Sequence, residues 1–382
     1  MTKAFINGRV LLDDGFRDDV AVLVDGARIS AIVSPDDARV RDADDVYDLR
    51  GNTLLPGFID VQVNGGGGVL FNDAPTLETI DRIGAAHRRF GTTGFLPTLI
   101  SDDVDKMRAA IAAVDDAIAQ GVPGVLGIHL EGPYIAPARR GAHDAAKFRV
   151  PDADEIDLVC SLRNGRTVLT LAPDRMSPEL VRTFAQRGVI VCAGHSDASY
   201  EQARVALDAG ARGFTHLYNA MSQLQGRAPG MVGAALEDRD SWCGIIVDGH
   251  HTHAASLRVA LAAKPRGKLM LVTDAMPPVG ADEAGFVLAG KHITVRNGRC
   301  ETDDGVLAGS ALDTASAVRN TVAMLGVPLD EAARMAAAYP AEFLGIANMH
   351  GRIAATLHAD LVEMSPQGAV VSTVCGGIVW PP

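Results

Sequence analysis

Eight runs of apolar and β-branched residues recur along the middle of the chain, at 54–64, 94–100, 124–131, 167–172, 189–195, 214–219, 242–248 and 268–274. Most are followed by a stretch in which apolar residues return at three- and four-residue steps, the period of an amphipathic helix. Such stretches fall at 77–90, 102–120, 178–186, 200–209 and 254–263. Strands that alternate with helices build a parallel sheet. Eight such units predict an α/β fold closed into a (β/α)8 TIM barrel.

The two ends of the chain follow another pattern. Short runs at 3–11, 20–24 and 28–33, joined by Asn7-Gly8 and Asp25-Gly26, predict antiparallel strands with tight turns. Similar runs return at 361–364, 369–374 and 377–380. Neither end alone can cover both faces of a sheet, so the two are expected to meet as a small β-sandwich beside the barrel. The expected division is 1–53 and 346–382 for the sandwich and 54–345 for the barrel. Residues 288–295 with 300–302 have the look of an inserted hairpin, which the pattern assigns to neither part.

A barrel of this kind gathers its reactive groups at the C-terminal ends of its strands. Glu131 closes the third run, and the fifth and sixth lead into His195 and His216. The helical segment between these two, closed by Gly210, sets their strands side by side, about 4.8 Å apart. Both imidazoles can then share one ion. With Glu131 they make a His2Glu set, which leaves a catalytic zinc one position for water. Asp274 ends the eighth run, where a carboxylate can take a proton from attacking water and return it to a leaving amine. Gln62 and Asn64 end the first run. Amides are poor zinc ligands, so these two either cap the strand or orient water or substrate from a supporting position.

Composition narrows the partners. The chain has 382 residues, 47% of them hydrophobic, and a net charge of −12. That charge disfavours nucleic acid and anionic membrane, since both need a basic face. A small anionic substrate would instead need a local group of cations. No stretch is apolar enough for a membrane span and the N-terminus lacks a signal-like core, so a cytoplasmic protein is expected. The five cysteines form no CxxC pair and are expected to be reduced thiols in the core.

Several blocks are distinctive together: Gly57-Phe58-Ile59-Asp60-Val61-Gln62-Val63-Asn64-Gly65, His129-Leu130-Glu131-Gly132-Pro133, Gly194-His195-Ser196, Thr215-His216-Leu217-Tyr218-Asn219-Ala220-Met221, Asp248-Gly249-His250-His251 and Val272-Thr273-Asp274-Ala275. They resemble the N-acetylglucosamine-6-phosphate deacetylase family of the amidohydrolase superfamily. Much of that superfamily carries Asp-x-His-x-His where this chain has Asp60, Gln62 and Asn64, so a fully occupied two-metal site is not expected.

The resemblance implies removal of the acetyl group from N-acetylglucosamine 6-phosphate. It implies one divalent ion per subunit, zinc by preference, on Glu131, His195 and His216. It makes Asp274 the acid/base residue and gives His143 the part of polarising the amide carbonyl. It further implies substrate contacts at Ala142, Asn219, Ala220, Arg227, His251, Leu307, Ala308 and Gly309, the last three in a loop over the sugar. A homodimer is implied as well, with Arg227 and His251 completing the neighbouring subunit's site. For His251 the spacing alone leaves another reading, because His250, His251 and His253 could make an accessory metal site. The Arg139-Arg140 pair suits a lid or a solvated pair. Two other functions stay open here: an amidohydrolase acting on another N-acyl sugar phosphate or a cyclic amide, and a noncatalytic barrel scaffold.

Overall fold

The computed structural model describes residues 1–382 except residue 283. Its centre is an eight-stranded parallel sheet in sequential order: Phe58–Val63, Thr92–Ile100, Gly127–Glu131, Arg166–Leu171, Ile190–Ala193, Gly213–Phe214, Trp242–Ile245 and Leu269–Leu271. The first and last strands meet at the mouth, where Val63 bridges Ala275 and the Asp274 N–H donates to the Gln62 carbonyl at 3.0 Å. Deeper in this seam the Asp60 carboxylate stands in for a ladder partner. It accepts from the Thr273 hydroxyl at 2.5 Å and from the Thr273 N–H at 3.3 Å. The sheet is thereby a closed barrel.

The helices fall where the three- and four-residue steps put them. Leu77–Arg88, Val104–Ala119, Pro178–Gln186, Tyr200–Asp208 and Ala254–Ala263 each follow a strand. Tyr200–Asp208 lies between the two histidine-bearing strands and starts at a capping box: the Ser199 hydroxyl accepts from the Gln202 N–H and the Gln202 side chain from the Ser199 N–H. Strands are shorter than the apolar runs. The run at 54–64 is divided, because Thr53–Pro56 pairs with Arg9–Leu12 and Leu361–Met364 in the terminal sheet and only Phe58–Val63 joins the barrel. The run at 214–219 keeps just Gly213–Phe214 as strand.

The chain ends form two packed sheets. One holds Arg28–Val33, Ala21–Asp25, Thr2–Ile6 and Asp45–Asp48; the other runs Ile378–Trp380, Val370–Cys375, Leu361–Met364, Thr53–Pro56, Arg9–Leu12, Gly15–Arg17. Phe5, Val22 and Ile29 of the first pack on Val10, Leu54, Leu361 and Val374 of the second, which gives the small sandwich its own core.

The inserted segment is larger than a hairpin. Gly285–Leu288, Lys291–Arg296, Arg299–Thr302 and Leu307–Ser310 form a four-stranded antiparallel sheet. It sits on the barrel mouth, with Leu288, Ile293, Cys300 and Ala308 packed against Leu70, Ile100 and Met276. All five cysteines are free thiols, and four of them are buried. Among the described residues no helix is long and apolar enough to cross a membrane.

Candidate active site

Glu131 is the last residue of the third strand, while His195, His216 and Asp274 each lie two or three residues past the end of theirs. At these three positions the backbone turns left-handed, with φ of 48°, 32° and 54°. That conformation is costly for residues with a Cβ. It stops each strand and swings the side chain inward over the mouth.

The three expected ligands converge. Glu131 Oε1 lies 3.1 Å from His195 Nε2 and 3.0 Å from His216 Nε2, and the two nitrogens are 3.0 Å apart. His195 Nδ1 faces the Arg139 carbonyl at 2.9 Å. A carbonyl only accepts, so Nδ1 carries a hydrogen and Nε2 is the ring atom left to ligate an ion. Burial pushes the Glu131 carboxyl up, but hydrogen bonds and charge from His195 and His216 outweigh this and hold it well below its ordinary range. The trio is thus an ionised carboxylate oxygen and two imidazole nitrogens aimed at one point, a donor set matched to a tetrahedral divalent ion with one position left for water.

Asp274 stands beside the trio. Its Oδ1 accepts from the Asn64 amide at 2.7 Å and from the Gln62 amide at 3.3 Å. Gln62 donates at 3.1 Å to Glu131 Oε1 as well, so one amide ties the two carboxylates together. Burial first, and then the Glu131 charge, raise Asp274 to about 6. His143 lies across the cavity with its ring 4.5 Å from that of His195. Its Nδ1 is 2.8 Å from the Ser101 hydroxyl and 3.4 Å from the Ser101 N–H. The N–H can only donate, so Nδ1 accepts and the ring hydrogen sits on Nε2. Burial and the adjacent His195 lower His143 to about 3, which keeps it neutral.

Glu131, His143, His195, His216 and Asp274 line a cavity of about 480 Å³ together with Arg139, Ala142, Asn219, Ala220, His251, Leu307, Ala308 and Gly309. The last three belong to an edge strand rather than a loop. Ser310 N–H donates to the Asp274 carbonyl at 2.9 Å, which fixes that strand beside the eighth. Gly309 has φ +64°, and a Cβ there would meet Met276 at 2.6 Å and the Asp274 carbonyl at 2.8 Å. Only glycine fits so close an approach.

His251 lines the cavity of its own chain. Its Nδ1 pairs with Asp248 at 2.6 Å. The three neighbouring histidines do not gather into an accessory site: His250 bonds the Asn297 carbonyl and His253 caps the helix Ala254–Ala263. Arg227 lies on an exposed turn and is not part of its own chain's cavity. Arg139 contributes its carbonyl to His195 while its guanidinium pairs with Asp197 at 2.7 Å; Arg140 is exposed.

Sequence reasoning missed the partners behind the reactive groups. Ser101, which orients His143, directly follows the apolar run 94–100, and that position was its one visible signal. Asp248 orients His251 three residues on, and Asp60, raised to about 7 chiefly by burial, acts through the distant Thr273. His129 lies behind the trio, between the Val61 carbonyl at 3.0 Å and the Thr170 hydroxyl at 2.8 Å.

Comparison with known proteins agrees with this geometry. The model of the Amidohydrolase family matches residues 53–379, and the chain belongs to that family of metal-dependent hydrolases. An N-acetylgalactosamine-6-phosphate deacetylase of Shewanella sp. (strain ANA-3) is 46% identical over 332 residues, 87% of this chain and 84% of that one. The N-acetylglucosamine-6-phosphate deacetylase of Haemophilus influenzae is 34% identical over 380 residues, 99% of each chain. The crystal structure of N-acetylglucosamine-6-phosphate deacetylase from Pasteurella multocida superposes with a TM-score of 0.95 at 35% identity, over the full length of both chains. An aspartate-to-alanine mutant of the Mycobacterium smegmatis enzyme, in complex with N-acetyl-D-glucosamine-6-phosphate, superposes with a TM-score of 0.90 at 30% identity, covering 99% of this chain and 98% of that one.

Proposed function

We propose that this chain hydrolyses the acetamide of N-acetyl-D-glucosamine 6-phosphate, giving D-glucosamine 6-phosphate and acetate. The observation that carries this reading is the convergence of Glu131, His195 and His216 within 3.1 Å, with Asp274 tied to Glu131 through Gln62. Glu131, His195 and His216 would hold a divalent ion, most naturally zinc, which when bound supplies Lewis-acid activation of water and carbonyl. Asp274 takes a proton from the attacking water and delivers it to the amide nitrogen as the C–N bond breaks. His143, fixed with its hydrogen on Nε2, donates to the amide oxygen as negative charge develops there. Ala142 and the strand Leu307–Ser310 hold the sugar. Asn219, the Ala220 backbone and His251 hold the phosphate, and Gln62 and Asn64 keep both carboxylates in place.

Arg227 from the neighbouring subunit of a homodimer is assigned to the phosphate end as well. A guanidinium fork suits a phosphate because it makes two charge-assisted hydrogen bonds. A phosphorylated sugar does not cross a bilayer unaided, so the enzyme belongs in the cytoplasm where such sugars are made. The sandwich is assigned to residues 1–56 and 346–382 and the catalytic barrel to 57–345.

A second reading concerns the sugar alone. The relative at 46% identity bears the name of a deacetylase of the C4 epimer, so N-acetyl-D-galactosamine 6-phosphate is the competing substrate. Acetate release from both 6-phosphates and from both free sugars tests the two readings. The phosphorylated forms are expected to react about a hundredfold better, from two charge-assisted hydrogen bonds of about 1.5 kcal/mol each. Equal turnover of phosphorylated and free sugars overturns the proposal, and the ratio of the two 6-phosphates decides the epimer.

A further inference from the structure

The opposite end of the barrel carries a second group of side chains of metal-binding type. His350 follows the last helix, Ala338–Leu344, while His358 and Asp360 precede the terminal-sheet strand Leu361–Met364. We propose that His350, His358 and Asp360 form a transition-metal site that fastens the returning C-terminal segment to the rear of the barrel. This goes beyond the hydrolytic reading and does not depend on it.

One ligand atom from each of the three residues lies within 4.8 Å of the other two. His350 Nδ1 is 2.8 Å from Asp360 Oδ2; the two imidazole rings stack at 4.4 Å with 17° between their planes, so one ring must turn about its Cβ–Cγ bond for both nitrogens to meet at one ion. Backbone bonds hold the donors in place. The His358 N–H donates to the Met349 carbonyl at 2.8 Å, and Gly376 N–H donates to the second Asp360 oxygen at 2.9 Å. Asp360 is buried, and among the described residues His350 is the one basic group within 4.0 Å of it.

The guanidiniums that face the cluster are spent elsewhere: Arg28 donates to the Thr356 carbonyl at 2.7 Å and Arg166 to the Leu344 carbonyl at 3.1 Å. Two imidazoles and a carboxylate select zinc, cobalt, nickel or copper over magnesium or calcium. The donors open onto a cleft of about 560 Å³ at the starts of the second, third and fourth barrel strands, so a hydrated ion can enter and keep water in its remaining positions. The Cys375 side chain borders the same cleft. An ion bound only by the folded chain stabilises it by mass action.

The test counts Zn2+ per chain after loading and dialysis, in the wild type and in a chain carrying His350→Gln and His358→Gln. Thermal unfolding and acetate release are followed on the same samples. The wild type is expected to hold one more ion than the variant, to gain in unfolding midpoint as that ion binds, and to match the variant in acetate release. Equal zinc counts overturn the proposal whatever the activity. If the double variant does not fold, His358→Gln alone is titrated with Co2+ and followed by visible absorption. At least about tenfold weaker binding of the extra ion is expected, and an unchanged isotherm overturns the site.

Discussion

Replacing Asp274 with asparagine tests the chemistry with little disturbance to the fold. The new side chain has the same shape, and its carbonyl oxygen can still accept from Asn64 and Gln62, now 2.7 and 3.3 Å from Asp274 Oδ1. Asparagine also tolerates the left-handed backbone at φ 54° better than most residues. What disappears is the proton acceptor. General acid–base catalysis contributes about 10² to 10⁴ in rate, so kcat is expected to fall about a thousandfold, about 4 kcal/mol of barrier. The ion on Glu131, His195 and His216 is expected to remain, because none of the three is changed. Wild-type kcat/KM needs the ionised form of a group raised to about 6, so activity is lost as pH falls through an inflection at or below that value. A cation beside Glu131 moves the inflection downward. The variant has no such inflection. Acetate release across pH, with metal content measured on the same samples, reads all three effects. Undiminished turnover, or loss of the ion together with turnover, refutes the assignment.

Ser101→Ala leaves His143 Nδ1 with only the long bond from the backbone N–H, so kcat is expected to drop about tenfold with KM little changed. Imidazole ¹⁵N shifts should report a tautomer mixture, and an unaltered pattern would count against the orienting role. His129 is lowered from 6.5 to about 4, chiefly by burial, so the native state excludes its proton while the unfolded chain binds it. Its contribution, about 3 kcal/mol, is present above about pH 6.5 and lost as pH falls toward 4. Urea titrations should show that fall to be smaller by this amount in His129→Gln, and equal falls would contradict it. Hybrid dimers of an Asp274→Asn chain with an Arg227→Met chain should regain activity that neither homodimer has, since one site then has both residues. Absence of any rescue would place Arg227 outside the partner's site.

Legibility in the sequence followed how local each signal was. The apolar runs leading into Glu131, His195 and His216 marked the candidate metal ligands, because a strand that stops at a reactive group leaves both features adjacent in the chain. The same criterion extended the first strand through Leu54 and Leu55, which are fully buried in the terminal sheet instead. Hydrophobicity reports that a residue is covered, not by what. Which subunit's site Arg227 and His251 serve has no local signature in the sequence either. Ser101 and Asp60 gave still less warning: each is a single polar residue whose meaning comes from His143 or Thr273, and those meetings exist only after folding.

The main chain of Asp274 donates to Gln62 and accepts from Ser310 while its carboxylate faces the cavity. Ring closure and reactivity are therefore lodged in a single peptide unit. Adaptation toward new acyl groups or sugars has little latitude on that side, because any shift there would loosen the whole cylinder. Variation can accumulate instead in the outer strands of the insert, which border the same opening without joining its ends.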